Sequence, residues 1–112
     1  MKAWKLAIEK EFGNCLKKFP ELYGIGFAVE SSSELFIAVA QPNGKRTIIL
    51  SVPPELQQNK PVEALNIFIL YGLSQMLNPK KADKIFMERV TKDKYKKLFQ
   101  LLKKDKILKV EK

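Results

Sequence analysis

The stretch Pro61–Leu77, PVEALNIFILYGLSQML, decides how this chain must fold. It is long enough for about four to five turns of α-helix and is apolar on nearly every side. On a helical wheel Glu63, Asn66, Ser74 and Asn78 share one side, but Ile67 and Leu70 interrupt it. A helix that is hydrophobic all round belongs in a core, not on a surface. The rest of the chain must therefore supply a floor for one side and a roof for the other. If the roof is not in the same chain, Ile67 and Leu70 become contacts with a second copy.

The floor is read from residues 23–52. Tyr23–Glu30 alternates as a strand, with Tyr23, Ile25, Phe27 and Val29 opposite Gly24, Gly26, Ala28 and Glu30. Ser31–Ser33 has turn chemistry. Leu35–Gln41 and Arg46–Val52 read as two further strands joined at Asn43-Gly44, a strong hairpin signal. Pro53-Pro54 stops the last of them. Two-residue turns at Ser32-Ser33 and Asn43-Gly44 predict a three-stranded antiparallel meander. One face then carries Leu35, Ile37, Val39, Ile48, Leu50 and Val52 beside Gly24, Gly26 and Ala28, whose small side chains leave room for a helix. The other face gathers Tyr23, Phe27 and Phe36 with Ile25, Val29, Ala38, Ala40, Thr47, Ile49 and Ser51.

Before the strands, Trp4, Ile8, Phe12, Cys15, Leu16 and Phe19 fall on one stripe and predict a helix over residues 3–19, ended by Pro20. After the third strand, Glu55–Asn59 predicts one helical turn, and Pro61 suits the first position of the long helix. Glu63 falls in its first turn, where a carboxylate favours the macrodipole. Asn78-Pro79 reads as a cap and first position of the next helix, whose stripe is Ala82, Ile85, Phe86 and Val90. Thr91 is placed to cap a last helix, Lys92–Lys104, with Tyr95, Leu98, Phe99 and Leu102 facing inward. Ile107–Val110 is left for a short closing strand or a tail. The expected fold class is α+β, in the order α-β-β-β-α-α-α. It forms a single domain over residues 1–112, with a basic helical segment at 80–112.

Composition narrows the chemistry. The 112 residues contain no histidine and one cysteine, Cys15. Ser-His and Cys-His nucleophile pairs, imidazole ligands and an intrachain disulfide are thereby excluded. Cys15 lies on the buried stripe and reads as core packing. No nucleotide-binding glycine loop, zinc motif or EF-hand is present. No run is long and apolar enough for a membrane span, nor does the N-terminus read as a signal peptide. The expectation is a soluble cytoplasmic protein without integral membrane association, cofactor, metal ligand or assigned catalytic residue.

The formal charge of +9 is unevenly spread. Residues 1–79 hold eight bases and seven acids, whereas residues 80–112 hold thirteen bases and five acids. Lys80 and Lys81 even stand at a helix N-terminus, where cations are disfavoured by a few tenths of a kcal/mol. Such asymmetry points to a polyanionic partner. The candidate nucleic-acid contacts are Lys80, Lys81, Lys84, Arg89, Lys92, Lys96, Lys97, Lys103 and Lys104, with DNA or RNA as the ligand. The candidate interface residues are Tyr23, Phe27, Phe36, Ile67 and Leu70, either in a homodimer or, for the three aromatics, stacking on bases.

The order α-β-β-β-α is similar in topology to double-stranded-RNA-binding domains and to the small RNA-binding subunits of the signal recognition particle. In both, basic residues meet phosphate and shape supplies much of the recognition. The lysine cluster that opens the second helix of the former has no counterpart in Pro61-Val62-Glu63-Ala64. Three strands between helices also open the core of PD-(D/E)xK nucleases. Here Arg46–Val52 contains no acid, and Glu30 and Glu34 fall at the opposite end of the middle strand from Lys45, whereas a metal site needs its ligands together. The leading expectation is thus a non-enzymatic basic binding protein. The alternatives are a protein-interaction module, acting as a homodimer or an accessory protein, and then a nuclease-like metal-dependent protein.

Overall fold

The stripe Trp4, Ile8, Phe12 and Cys15 becomes the inner face of helix α1 (Lys2–Leu16) in the computed structural model, which describes residues 2–59, 62–108 and 110–111. The helix stops three residues before the predicted Phe19. The amides of Lys18 and Phe19 donate back to the Cys15 and Leu16 carbonyls at 3.0 and 2.8 Å, which tightens the last turn. Phe19 precedes a proline and is held at φ −133°, outside the helical region, with its ring buried.

Strands β1 (Gly26–Ser31), β2 (Phe36–Ala40) and β3 (Thr47–Val52) make the main sheet, with the short β4 (Val110–Glu111) at an edge. The β2–β3 hairpin has the predicted register, with Ile37 opposite Leu50 and Ala40 opposite Thr47. Asn43 and Gly44 take φ of 54° and 80°, the two positive values that a tight hairpin turn demands.

The antiparallel meander does not form. The strand order is β1-β3-β2-β4, and β1 runs parallel to β3, so the sheet is mixed. Phe27 pairs with Ile48 and Val29 with Leu50. Phe27 and Val29 therefore share the helix-covered face with Ile37, Ile48, Leu50 and Val52, and Gly26 and Ala28 turn to the other face. Because side chains alternate with period two, the change of partner exchanges every β1 residue between faces. The pairing adopted packs the bulky members of the strand, half-buried, against the core and leaves Ala28 and Glu30 exposed. The connection over residues 32–35 has to cross two strand spacings, about 10 Å. Ser32 Oγ braces it, accepting from the Glu34 amide at 3.1 Å and donating to the Glu34 carbonyl at 3.2 Å.

Helix α2 (Pro54–Asn59) leads into α3 (Val62–Leu77), while Pro61 and the side chain of Glu63 lie outside the described residues. A Cβ at Gly72 would stand 2.8 Å from Ile37 Cγ1 and 3.5 Å from Ile48 Cδ1, so α3 crosses the sheet at this glycine. The room for close approach comes from the helix, not from the small residues of β1 as expected.

The roof is in the chain. Helices α4 (Ala82–Arg89) and α5 (Asp93–Lys104) run antiparallel, with Phe86 stacked on Phe99 at 4.0 Å and Lys103 beside Asp83. Both rings meet Tyr71, on the flank of α3 turned away from the sheet. Ile67 is 0% and Leu70 1% exposed. They are core residues of this chain and offer nothing to a second copy, which corrects their reading as interface residues. The polar residues on that flank are absorbed as well. Asn66 donates to Glu11 and to Cys15 Sγ, and Ser74 donates to the Leu70 carbonyl at 2.9 Å.

Asn78 does cap, its side chain accepting from the Lys80 amide, although the turn it opens (Pro79–Lys81) is 3-10 and precedes α4. Thr91 does not cap α5. Val90 is extended, and Lys92 takes the N-cap position without a side-chain bond.

Candidate nucleic-acid interface

The nine basic residues singled out above lie on the α4–α5 hairpin and the turn before it, but they are not equivalent. Arg89 holds Glu21 in a bidentate pair at 2.7 and 2.6 Å, donates to the Lys18 carbonyl at 3.1 Å, and lies 5.0 Å over the Phe19 ring. The guanidinium hydrogen bonds hold the Glu21 carboxyl down at about 2, and Arg89 itself is raised above its ordinary value by the same bonds. Arg89 is thus committed to tying α4 to the segment after α1. Lys103 donates to Tyr71 Oη at 2.8 Å and stands 3.5 Å from Asp83. Its partial burial would lower the ammonium pKa, but Tyr71 and Asp83 outweigh this and raise it. Lys92 lies over the Tyr95 ring at 5.3 Å.

Lys80, Lys81 and Lys84 are different. All three are exposed and line one hollow of about 470 Å3, with Tyr71, Gln75 and Pro79 in its wall. Pro79 and Gln75 also line a neighbouring hollow of about 350 Å3, which continues past Met76 to Val39 and Arg46. The two adjoin at Gln75 and Pro79, and the lysine-lined hollow is the candidate cleft. Arg46 donates to the Met76 carbonyl at 2.8 Å, where a cation suits the exposed carbonyls of a helix end. Sequence reasoning missed Arg46 because it lies outside the basic C-terminal third. Its signal was its position just beyond the hairpin turn, at the end of the sheet that α3 crosses.

A hydrogen-bonded hub fixes the floor of the cleft. Tyr71, nearly buried, donates to Asp83 at 2.7 Å and accepts from Lys103 and Gln75 at 2.8 and 3.1 Å. Every hydrogen-bonding capacity of the phenol is used. The hub joins α3, the start of α4 and the end of α5, and it engages Asp83 through Oδ1, although that carboxylate is itself exposed and lines the hollow beside the three lysines. Among the described residues no ion pair engages Lys80, Lys81 or Lys84. Lys97 and Lys104 are exposed farther along α5, and Lys96 is partly buried.

The three aromatic residues do not form a stacking platform. Phe27 stacks on Phe12 at 4.4 Å beneath α1, Phe36 lies on the opposite face of the sheet, and Tyr23 is 62% exposed before β1 begins. The parallel pairing of β1 is the reason. What the outer face of the sheet does carry is Gly26, Ala28 and Glu30 beside Thr47, Ile49 and Ser51, then Phe36, Ala38 and Ala40. Glu30 is the single charged side chain among these nine.

A smaller cavity of about 150 Å3 lies between α1, α3 and the α4–α5 junction, near Glu11, Cys15, Asn66 and Lys92. Burial and the neighbouring Glu11 carboxylate push the Cys15 thiol far up, so it remains protonated. Among the described residues no three Asp, Glu, His or Cys side chains converge as a metal site would require, and no helix is long and apolar enough to cross a membrane. Compared with known protein families, curated proteins and solved structures, the chain matches none.

Proposed function

We propose that this chain is a cytoplasmic, non-enzymatic binding protein that contacts nucleic acid electrostatically, with phosphates centred on the cleft of Lys80, Lys81 and Lys84. The observation that carries the reading is their exposure around one concave surface, with the adjacent acid already held by Tyr71 and Lys103. Lys97 and Lys104 extend the positive surface along α5, whereas Arg89 and Lys103 act through the fold and only secondarily on a ligand. The cleft meets the sugar-phosphate backbone, so binding is expected to be tolerant of sequence. Titration with random single- and double-stranded DNA and RNA tests this. Binding should weaken steeply from low to physiological salt. Absence of binding at low salt rejects the proposal.

A second reading is favoured by the outer face of the sheet. A solvated antiparallel or mixed sheet face ordinarily carries polar residues at alternate positions, yet this one presents Phe36, Ala38, Ala40 and Ile49, each partly exposed. A homodimer or partner protein covering that face would make the chain an interaction module. Sedimentation decides the homodimer form: a species of monomer mass at every concentration removes it.

A further inference from the structure

Helix α5 carries more apolar surface than its site on the protein hides. Phe99 is buried and Tyr95 and Leu102 partly so. Leu98, expected on the buried stripe, is instead 36% exposed, and Leu101 is 56% exposed. Three residues apart on a helix, the two leucines are surface neighbours. Ile107, just past the helix end, is 47% exposed. Lysines frame the pair. Lys94 stands one turn before Leu98, Lys97 one turn before Leu101, and Lys104 follows Leu101 by three residues. Lys97 and Lys104 are exposed and take part in no ion pair among the described residues. The acids of the helix and its cap, Asp93 and Asp105, stand at its two ends.

We propose that this outer face of α5 docks reversibly on an anionic lipid bilayer, with Leu98 and Leu101 entering the acyl boundary and the lysines meeting the phosphate headgroups. Charge complementarity requires an anionic occupant, since residues 80–112 hold thirteen bases and five acids. The exposed leucines require one with an apolar layer behind the charge, which a nucleic-acid backbone lacks. An amphipathic partner helix would need a groove. These leucines instead project from the outer side of α5, and the hollows described above are lined by other residues. A short, lysine-flanked helix matches a planar interface, where the lysine stems can lie along the apolar layer and hold their ammonium groups in the headgroups.

Flotation with phosphatidylcholine vesicles, with and without phosphatidylglycerol, tests the proposal. The protein should float with the anionic vesicles alone, and added salt should release it. The double substitution Leu98→Gln and Leu101→Gln should weaken partitioning by about tenfold or more while leaving far-UV circular dichroism and nucleic-acid affinity unchanged. Lys97→Gln with Lys104→Gln should weaken vesicle binding as well. Failure to float with anionic vesicles overturns the proposal. So does undiminished partitioning of the leucine variant, which would leave only general attraction to polyanions. Loss of nucleic-acid binding, or of self-association, in the leucine variant would assign the leucines to that partner and overturn it equally.

Discussion

Two glycines show how position decides the sign of one substitution. Gly13 lies in α1 with nothing within 4 Å of a Cβ built upon it, whereas Gly72 would press a Cβ against the buried Ile37 at 2.8 Å. Gly13→Ala should raise stability by about 0.5–1 kcal/mol, the ordinary helix-propensity gain. Gly72→Ala forgoes that gain to a clash with a β-branched side chain that cannot swing aside, and should cost about 1–3 kcal/mol. Urea unfolding of both variants checks the contrast; two stabilising substitutions would mean that α3 does not approach the sheet so closely. Glu21 gives a pH-dependent counterpart. Its pKa is held at about 2 by Arg89, below the ordinary value of 4.5. A carboxyl depressed in the folded state contributes stability above its unfolded pKa and loses it as pH falls through the folded one. The melting temperature of the native protein should therefore drop more between about pH 5 and pH 2 than that of Glu21→Gln. Parallel profiles would show that this exposed pair contributes nothing measurable.

Among the elements, local chemistry was legible and distant pairing was not. The α1 stripe, the Asn43-Gly44 turn with its register, and the Asn78 cap each depend on residues a few positions apart, and each is present. The partner of β1 lies more than a dozen residues away in sequence, and nothing between Ser31 and Leu35 encodes it. The clue lay in side-chain size. A meander would have buried Gly26 and Ala28 and exposed Phe27 and Val29, a poor exchange of apolar area. The same oversight produced the false aromatic face and passed over Gly72, whose role exists only once the sheet is placed beneath it. The pairing makes a sharp prediction. Ala28→Lys should be tolerated within about 0.5 kcal/mol, because that side chain faces solvent. Phe27→Lys, which places a charge under α1 against Phe12, should cost about 3 kcal/mol or more. The reverse ranking in urea melts would restore the antiparallel order.

Over the whole molecule, the charge excess and the core are separated by layer. α3 faces the sheet at Gly72 and carries α4 and α5 on its far flank through Tyr71, Phe86 and Phe99. The basic segment therefore forms an outer layer on the side of α3 remote from the outer sheet face, where Glu30 is the one charged side chain of β1–β3. The sequence disclosed the size of that excess but not its division of labour. Which bases were already spent became visible only when Glu21, Tyr71 and Asp83 were seen beside Arg89 and Lys103. The division can be measured. Each lysine that meets a phosphate releases about one counterion, so its removal should lower the slope of log K against log salt by about 1. Replacing Lys80, Lys81 and Lys84 together by Gln should flatten the slope by about 2–3 and weaken DNA and RNA binding alike. Replacing Lys96, Lys97 and Lys104 together removes the same formal charge from a helix outside the cleft. If the cleft organises binding, this second triple should change the slope by about 1 at most. Equal slopes for the two triples would mean a diffuse positive coat, in which net charge alone sets the affinity and the cleft has no special part.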